Sequence, residues 1–440
     1  MAQLLKVSVI LVLLYSIQSC NNNNYIQKKS VVEAEDFHNW NSYLEDAIVI
    51  DFFSPPVAAR IYAYANLAAF EVIRVTEPNN SLLNINIPSL DSITYEKPVD
   101  IGISMIVAFY LTGSELVYTD KSLSEKINLF RDQCIERGID KETLINSEKL
   151  GSQVADSILM WAAKDRYNEM RSYPDYQLLQ TPGSWKPTLP DYSDAMEPHW
   201  SKLRSFTLDS ASQFRPPPPT KYNMEKNSLF YNELMEVYKA VKNNTSETEP
   251  IAKFWDCNPL VRKHQGHVTF AEKKLTPGGH WINIARIAMK KDSFDLSTSV
   301  QAYALVTIGI FDAFISCWDA KYSTNYIRPV TVIQEYIDPS WSPIIYTPNF
   351  PEYTSGHSVV SGSAATILTH LFGDNYNFTD STEVPYGMPP RKFNSFYEAS
   401  DEAAISRLYG GIHFLPAIEN GKIQGKKVGK HVLNTLISKK

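Results

Sequence analysis

Four cysteines in 440 residues are few, and Cys20 closes an N-terminal apolar segment. That leaves Cys134, Cys257 and Cys317, an odd and small number for a long chain, which argues against a disulfide framework. The core must therefore be self-sufficient, and 44% apolar composition is ample for one. Clustered positive charge is also lacking. No run of five basic residues occurs and the net charge is −6, so nucleic-acid partners are excluded. Beyond the N-terminus no uncharged apolar segment reaches the roughly 20 residues that span a bilayer, so no transmembrane helix is expected in the mature protein.

What the N-terminus does contain is MAQLLKVSVILVLLYSIQSC (1–20): one lysine, a short apolar stretch, then small or polar residues. This pattern predicts a signal peptide over 1–20. The ending IQSC resembles a bacterial lipobox, in which Cys20 is lipidated and tethered through the following NNNN. Gln18 is unusual there. The expectation is an exported protein, lipid-anchored at the bacterial cell envelope (periplasm or outer membrane) and otherwise secreted, touching membrane only through the lipid.

Apolar residues recur at helical spacing through 55–75, 99–118, 299–320, 357–372 and 403–409, and alternating strand-like runs are few, so the fold class is all-α. Between about 165 and 222 the pattern fails in favour of proline, tyrosine and serine, ending in FRPPPPT (214–220). Connections of that length are functional loops or packed belts. It divides an N-terminal helical half, 21–222, from a C-terminal half, 223–440, whose catalytic core is expected over about 295–435.

Three stretches of the second half carry chemistry. In KYSTNYIRP (321–329), Lys321 and Arg328 are seven residues apart, two helical turns, so one face would present both. Alone, such a pair is an ordinary solvated stripe, but the preceding FDAFISCWDA is apolar and favours an inward face. In TSGHS (354–358), Ser355 offers a hydroxyl, Gly356 an open backbone N–H, and His357 a proton carrier at a helix N-terminus. No G-x-S-x-G elbow supports a serine hydrolase. In SRLYGGIHF (406–414), the helix carrying Arg407 should stop at Gly410-Gly411 and a new one begin near His413, bringing arginine and histidine together. Pooled, three cations, a hydroxyl, an amide and two histidines without a carboxylate suit a tetrahedral oxyanion rather than a metal cation. One histidine would bond its central atom and the other exchange protons.

The order K-x6-RP, SGH, SR-x5-H resembles the signature shared by vanadium-dependent haloperoxidases and type 2 phosphatidic acid phosphatases, over roughly residues 310–420. The resemblance implies helical bundles and vanadate as cofactor. His413 would bind vanadate; Lys321, Arg328, Arg407, Ser355 and the Gly356 amide would hold its oxygens; His357 would be the acid–base group. The reactants implied are hydrogen peroxide, a halide and a small organic acceptor. In the alternative, an acid phosphatase acting on a phosphoester, His413 is the nucleophile and phosphate takes vanadate's place. A third reading is a lipoprotein that only binds phosphate.

Trp318 and Phe350 match positions of a tryptophan and a phenylalanine near the halide in chloroperoxidases of the fungal type, and Asp312 fits that pattern; these favour the haloperoxidase branch. Ala417 departs from it, standing where the phosphatases carry an aspartate that orients the histidine. Glu419 or a backbone carbonyl is the substitute to expect. Outside the signature, His280 in TPGGHW (276–281) is a candidate for the site entrance. HQGH (264–267) is read as surface rather than as a metal site.

Overall fold

Helical periodicity becomes helix almost everywhere. The computed structural model describes residues 29–437 except 82, 86, 260, 261, 266, 272 and 273, so Cys20 and the predicted signal peptide lie outside the described residues. The first half contains α1 (Ala34–Ile50), α2 (Pro55–Thr76), α3 (Ile101–Leu116), α4 (Lys121–Glu136), α5 (Lys141–Ala162) and the single turn α6 (Tyr167–Met170). The second contains α7 (Leu229–Lys242), α8 (Thr248–Phe254), α9 (Pro277–Lys291), α10 (Leu296–Thr324), α11 (Pro329–Tyr336), α12 (Gly356–Phe372), α13 (Phe396–Tyr409) and α14 (Leu415–Leu436). Two antiparallel ribbons complete it: β1 (Arg262–Gln265) with β2 (Val268–Ala271), and β3 (Phe378–Asp380) with β4 (Arg391–Phe393).

The halves share one core. A continuous apolar cluster runs from Phe37 and Trp40 of α1 through α2 and α10 to Val428 and Val432 of α14, and a smaller one gathers Phe230, Tyr326 and Phe414. Helix α10 is long and apolar enough to cross a membrane, but its most apolar window is wholly buried, so it is the central core helix.

Helices α12 and α14 approach unusually closely because Gly421, Gly425 and Gly429 form a stripe at i, i+4 spacing on α14. A Cβ at Gly425 would lie 2.1 Å from the Val359 carbonyl oxygen, and one at Gly429 2.7 Å from that of Ser363. Thr354 Oγ1 donates to Gln424 Oε1 at 2.7 Å, and Gln424 Nε2 donates to the Ser316 carbonyl at 2.9 Å. Together these bonds fix the loop before α12 against α10 and α14.

The irregular stretch 165–222 is a packed belt. It holds only α6 and a 3-10 turn at Trp200–Lys202. On one side Arg204 lies over the Trp161 ring at 3.7 Å. On the other, Asp312 of α10 accepts from the Phe206 and Thr207 amides, each at 2.8 Å, and from Thr207 Oγ1 at 2.6 Å.

Candidate active site

Lys321 sits in the last turn of α10, which ends at Asn325 in the left-handed region, φ 48°. Arg328 therefore does not share a helical face with Lys321: it is the N-cap of α11, with Pro329 at the first helical position. Both nevertheless point inward and are fully buried, as is Arg407 in the last turn of α13. Lys321 Nζ donates to the carbonyls of Pro351 (3.0 Å), Glu352 (3.0 Å) and Thr354 (2.5 Å). Arg328 Nε donates to the Phe350 carbonyl at 3.0 Å and Nη1 to that of Ile412 at 2.8 Å. Arg407 Nε reaches Ser406 Oγ at 2.9 Å and Nη2 the Ala252 carbonyl at 3.2 Å.

Ser355 N-caps α12 and Gly356 opens it. A Cβ at Gly356 would meet only Trp318, at 3.9 Å, so the approach to its amide is open. His357 follows in the first turn. Gly410 ends α13, Gly411 takes φ +80°, and α14 starts at Leu415, two residues after His413. The break turns His413 back toward Arg328, whose Nη1 lies 3.2 Å from His413 Nε2.

Nδ1 of His413 meets a carboxylate that the motif reading missed. Glu352 Oε1 lies 2.7 Å from Nδ1 and also accepts the Phe414 amide at 2.9 Å. Glu352 therefore takes Nδ1–H, so Nε2 carries the lone pair, which faces Arg328 Nη1, a donor only. Neither expected substitute does this. Glu419 is half exposed and 3.3 Å from Lys422 Nζ, and the Ala417 carbonyl accepts instead from the Ser355 amide at 3.1 Å. Glu352 stands two residues before TSGHS, but 61 residues separate it from His413, and the chain's return at Gly411 brings them together.

Burial sets the electrostatics. It pulls Lys321 down to about 7 and Arg328 to about 10, pushes Glu352 up to about 7, and holds His357 and His413 well below the usual imidazole range, with neighbouring cations adding to the last effect. Among the described residues no carboxylate lies within ion-pair distance of Lys321, Arg328 or Arg407. Arg328 Nη2 and His357 Nε2 are buried without a hydrogen-bond partner. The buried cations and the Arg328 donor left this way are costly, and an anion of two or three charges supplies what they lack. The donor set therefore fits vanadate or phosphate.

Beside the histidines lies a cavity of about 40 Å³ whose wall includes Trp318, Phe350, Phe314, Met196 and Cys257. The Trp318 and Phe350 rings are 5.0 Å apart, and Lys321 Nζ and the Arg328 guanidinium lie 4.7 and 5.0 Å from the Phe350 ring. Asp312 and His280 do not line it. Asp312 is occupied by the belt. His280 is fully buried behind Cys257, its Nε2 2.7 Å from Asp380 Oδ2, because Thr276 and Pro277 start α9 with that side chain inward. Of HQGH, His267 is exposed.

A bacterial vanadium-dependent iodoperoxidase of solved structure is 43% identical to this chain, covers 93% of it and 98% of its own length, and superposes with a TM-score of 0.86. The chain belongs to the vanadium-dependent haloperoxidase family. The family model described as the VCPO second helical-bundle domain matches residues 301–339 and 334–439, which contain all three motifs. Holo and apo structures of a bacterial vanadium-dependent chloroperoxidase share the fold at 16% identity, with TM-scores of 0.67 and 0.65 over 88% and 87% of this chain. A search of curated proteins gave no match.

Proposed function

We propose that this haloperoxidase binds vanadate in the pocket of Lys321, Arg328, Arg407, Ser355 Oγ and the Gly356 amide, with His413 Nε2 as the protein's bond to vanadium, and oxidises iodide with hydrogen peroxide. The observation that supports it most is the set of three buried cations with no carboxylate in ion-pair distance among the described residues. Vanadate in that place supplies the Lewis-acid centre at which peroxide is activated for oxygen transfer to halide. Glu352 holds His413 in the tautomer whose Nε2 is a donor atom. His357, neutral at working pH, takes a proton from incoming hydrogen peroxide through its unpartnered Nε2. The apolar wall of Trp318 and Phe350, backed by two cations, favours the most weakly hydrated halide because it costs least to desolvate. Iodide preference is also what the 43% identical relative's description suggests.

The test uses the mature chain without residues 1–20. Iodide, bromide and chloride oxidation by hydrogen peroxide are measured with and without orthovanadate, beside a phosphoester hydrolysis assay. Vanadate-dependent oxidation, fastest with iodide, is the expected outcome. Phosphoester hydrolysis inhibited by vanadate, without halide oxidation, overturns the reading. The leader segment 1–20 and Cys20 support export with a lipid anchor, and mass spectrometry of the native N-terminus tests this.

A further inference from the structure

Cys257 and Met196, both sulfur-bearing residues, line the cavity together with His357 and His413. Cys257 is a free thiol. His357 lines the same space, and its Nε2 atom is buried without a hydrogen-bond partner, so the cavity is shaped for a polar guest. Behind the thiol stands an acid–base cluster. His280 Nδ1 lies 3.3 Å from Cys257 Sγ, Glu383 Oε1 lies 3.8 Å from it, and Asp380 holds the far nitrogen of His280 at 2.7 Å. The His280 ring stacks on Trp255 with centroids 4.5 Å apart. Cys257, His280 and Glu383 place ligand atoms within 4.8 Å of one another, but hydrogen bonds inside the cluster already satisfy each, so it holds the thiol without needing an ion.

We propose that Cys257 is a modification site for the enzyme's own product: hypohalous acid formed beside His357 oxidises its thiol to a sulfenic acid, and turnover stops until a thiol reductant reverses it. The inference rests on the haloperoxidase reading above. In the first step sulfur attacks the halogen. The S–X bond forms and the X–O bond breaks, while the thiol proton goes to the departing hydroxide, giving water. Sulfur loses two electrons and the halogen gains them. Water then displaces halide from sulfur, leaving Cys–SOH, halide and a proton. The added oxygen occupies space that the halide needs, since a cavity of about 40 Å³ holds few waters.

Burial raises the thiol's pKa, and the thiolate is the form that attacks peroxide. Hydrogen peroxide alone is therefore a poor oxidant of Cys257, and the stronger electrophile made in the cavity is the effective one. Neither Cys134 nor Cys317 lines that cavity, and both are buried; Cys134 is the remote control, and Cys317, whose Sγ is 3.7 Å from the Thr354 carbonyl, is the near one.

The experiment turns over iodide with the vanadate-loaded mature chain, then traps sulfenic acid with a dimedone-type probe and maps it by peptide mass spectrometry. Labelling of Cys257 should rise with turnovers, several-fold ahead of Cys134 and Cys317, and stay absent with peroxide alone. Activity should return with a thiol reductant, and C257S should complete several-fold more turnovers before inactivation. A Cys257 that stays reduced while the enzyme inactivates, or that labels equally with peroxide alone, overturns the proposal. If the same samples oxidise no iodide, the haloperoxidase reading fails separately. Hypoiodous acid is then added from outside, and labelling of Cys257 no faster than that of the other two cysteines still overturns this inference.

Discussion

At the scale of single residues, the Glu352–His413 pair is the feature most open to test. Glu352→Gln keeps the shape and an acceptor oxygen for Nδ1–H but removes the carboxylate's charge. Losing a carboxylate behind a metal-binding histidine weakens affinity by roughly 10–100-fold, and titrating orthovanadate against activity should show that loss. Glu419→Gln should change nothing, since Glu419 is half exposed and pairs with Lys422. Lys321 gives a pH signature. Burial brings it to about 7, so its ammonium is present below that pH and lost above it. Affinity for orthovanadate should fall as pH rises through about 7, and Lys321→Met should bind more weakly at pH 6 and lack that inflection. The sign for stability is opposite. The unfolded lysine stays charged to roughly pH 10.4, so folding of the anion-free protein releases a proton between about 7 and 10.4, and its stability rises with pH across that window.

Among elements, the turn between α13 and α14 and the belt over α10 do the positioning. Gly411 has φ +80°, and a Cβ there would lie 2.7 Å from Val241 Cγ2 and 3.1 Å from Trp341. Gly411→Ala should cost at least about 1–2 kcal/mol from backbone conformation alone, seen as a lowered denaturation midpoint, and should weaken vanadate binding because His413 is two residues on. Asp312 accepts three hydrogen bonds from the belt. Asp312→Ala should destabilise by about 2–4 kcal/mol and make 165–222 the first region cut in limited proteolysis. The helical elements were legible because apolar spacing is local. That Arg328 caps α11 was not foreseen: the seven-residue spacing reads as one helix, whereas Asn325 in the left-handed region ends α10 three residues earlier. Asp312 and His280 were misread as pocket residues for a related reason, since chain position says nothing about which neighbour a buried polar group meets.

For the whole molecule, one continuous core across both halves predicts one cooperative unfolding transition rather than two. Binding only to the folded state should raise that transition, by about 2.7 kcal/mol at a hundredfold excess of orthovanadate over its dissociation constant. Calorimetry checks both points, and phosphate should compete because its shape and charge are the same.

By itself the sequence determined the helical class, the shared family signature and the residues of the proposed anion pocket, since periodicity and residue type are written locally along the chain. Only the tertiary structure decided that Glu352 faces His413 across 61 residues, that Asp312 belongs to the belt, and that Cys257 stands on the cavity wall with His280 behind it. Those pairings depend on where the chain reverses and which helices meet, and such distances are fixed by packing of the entire core rather than by any stretch of residues.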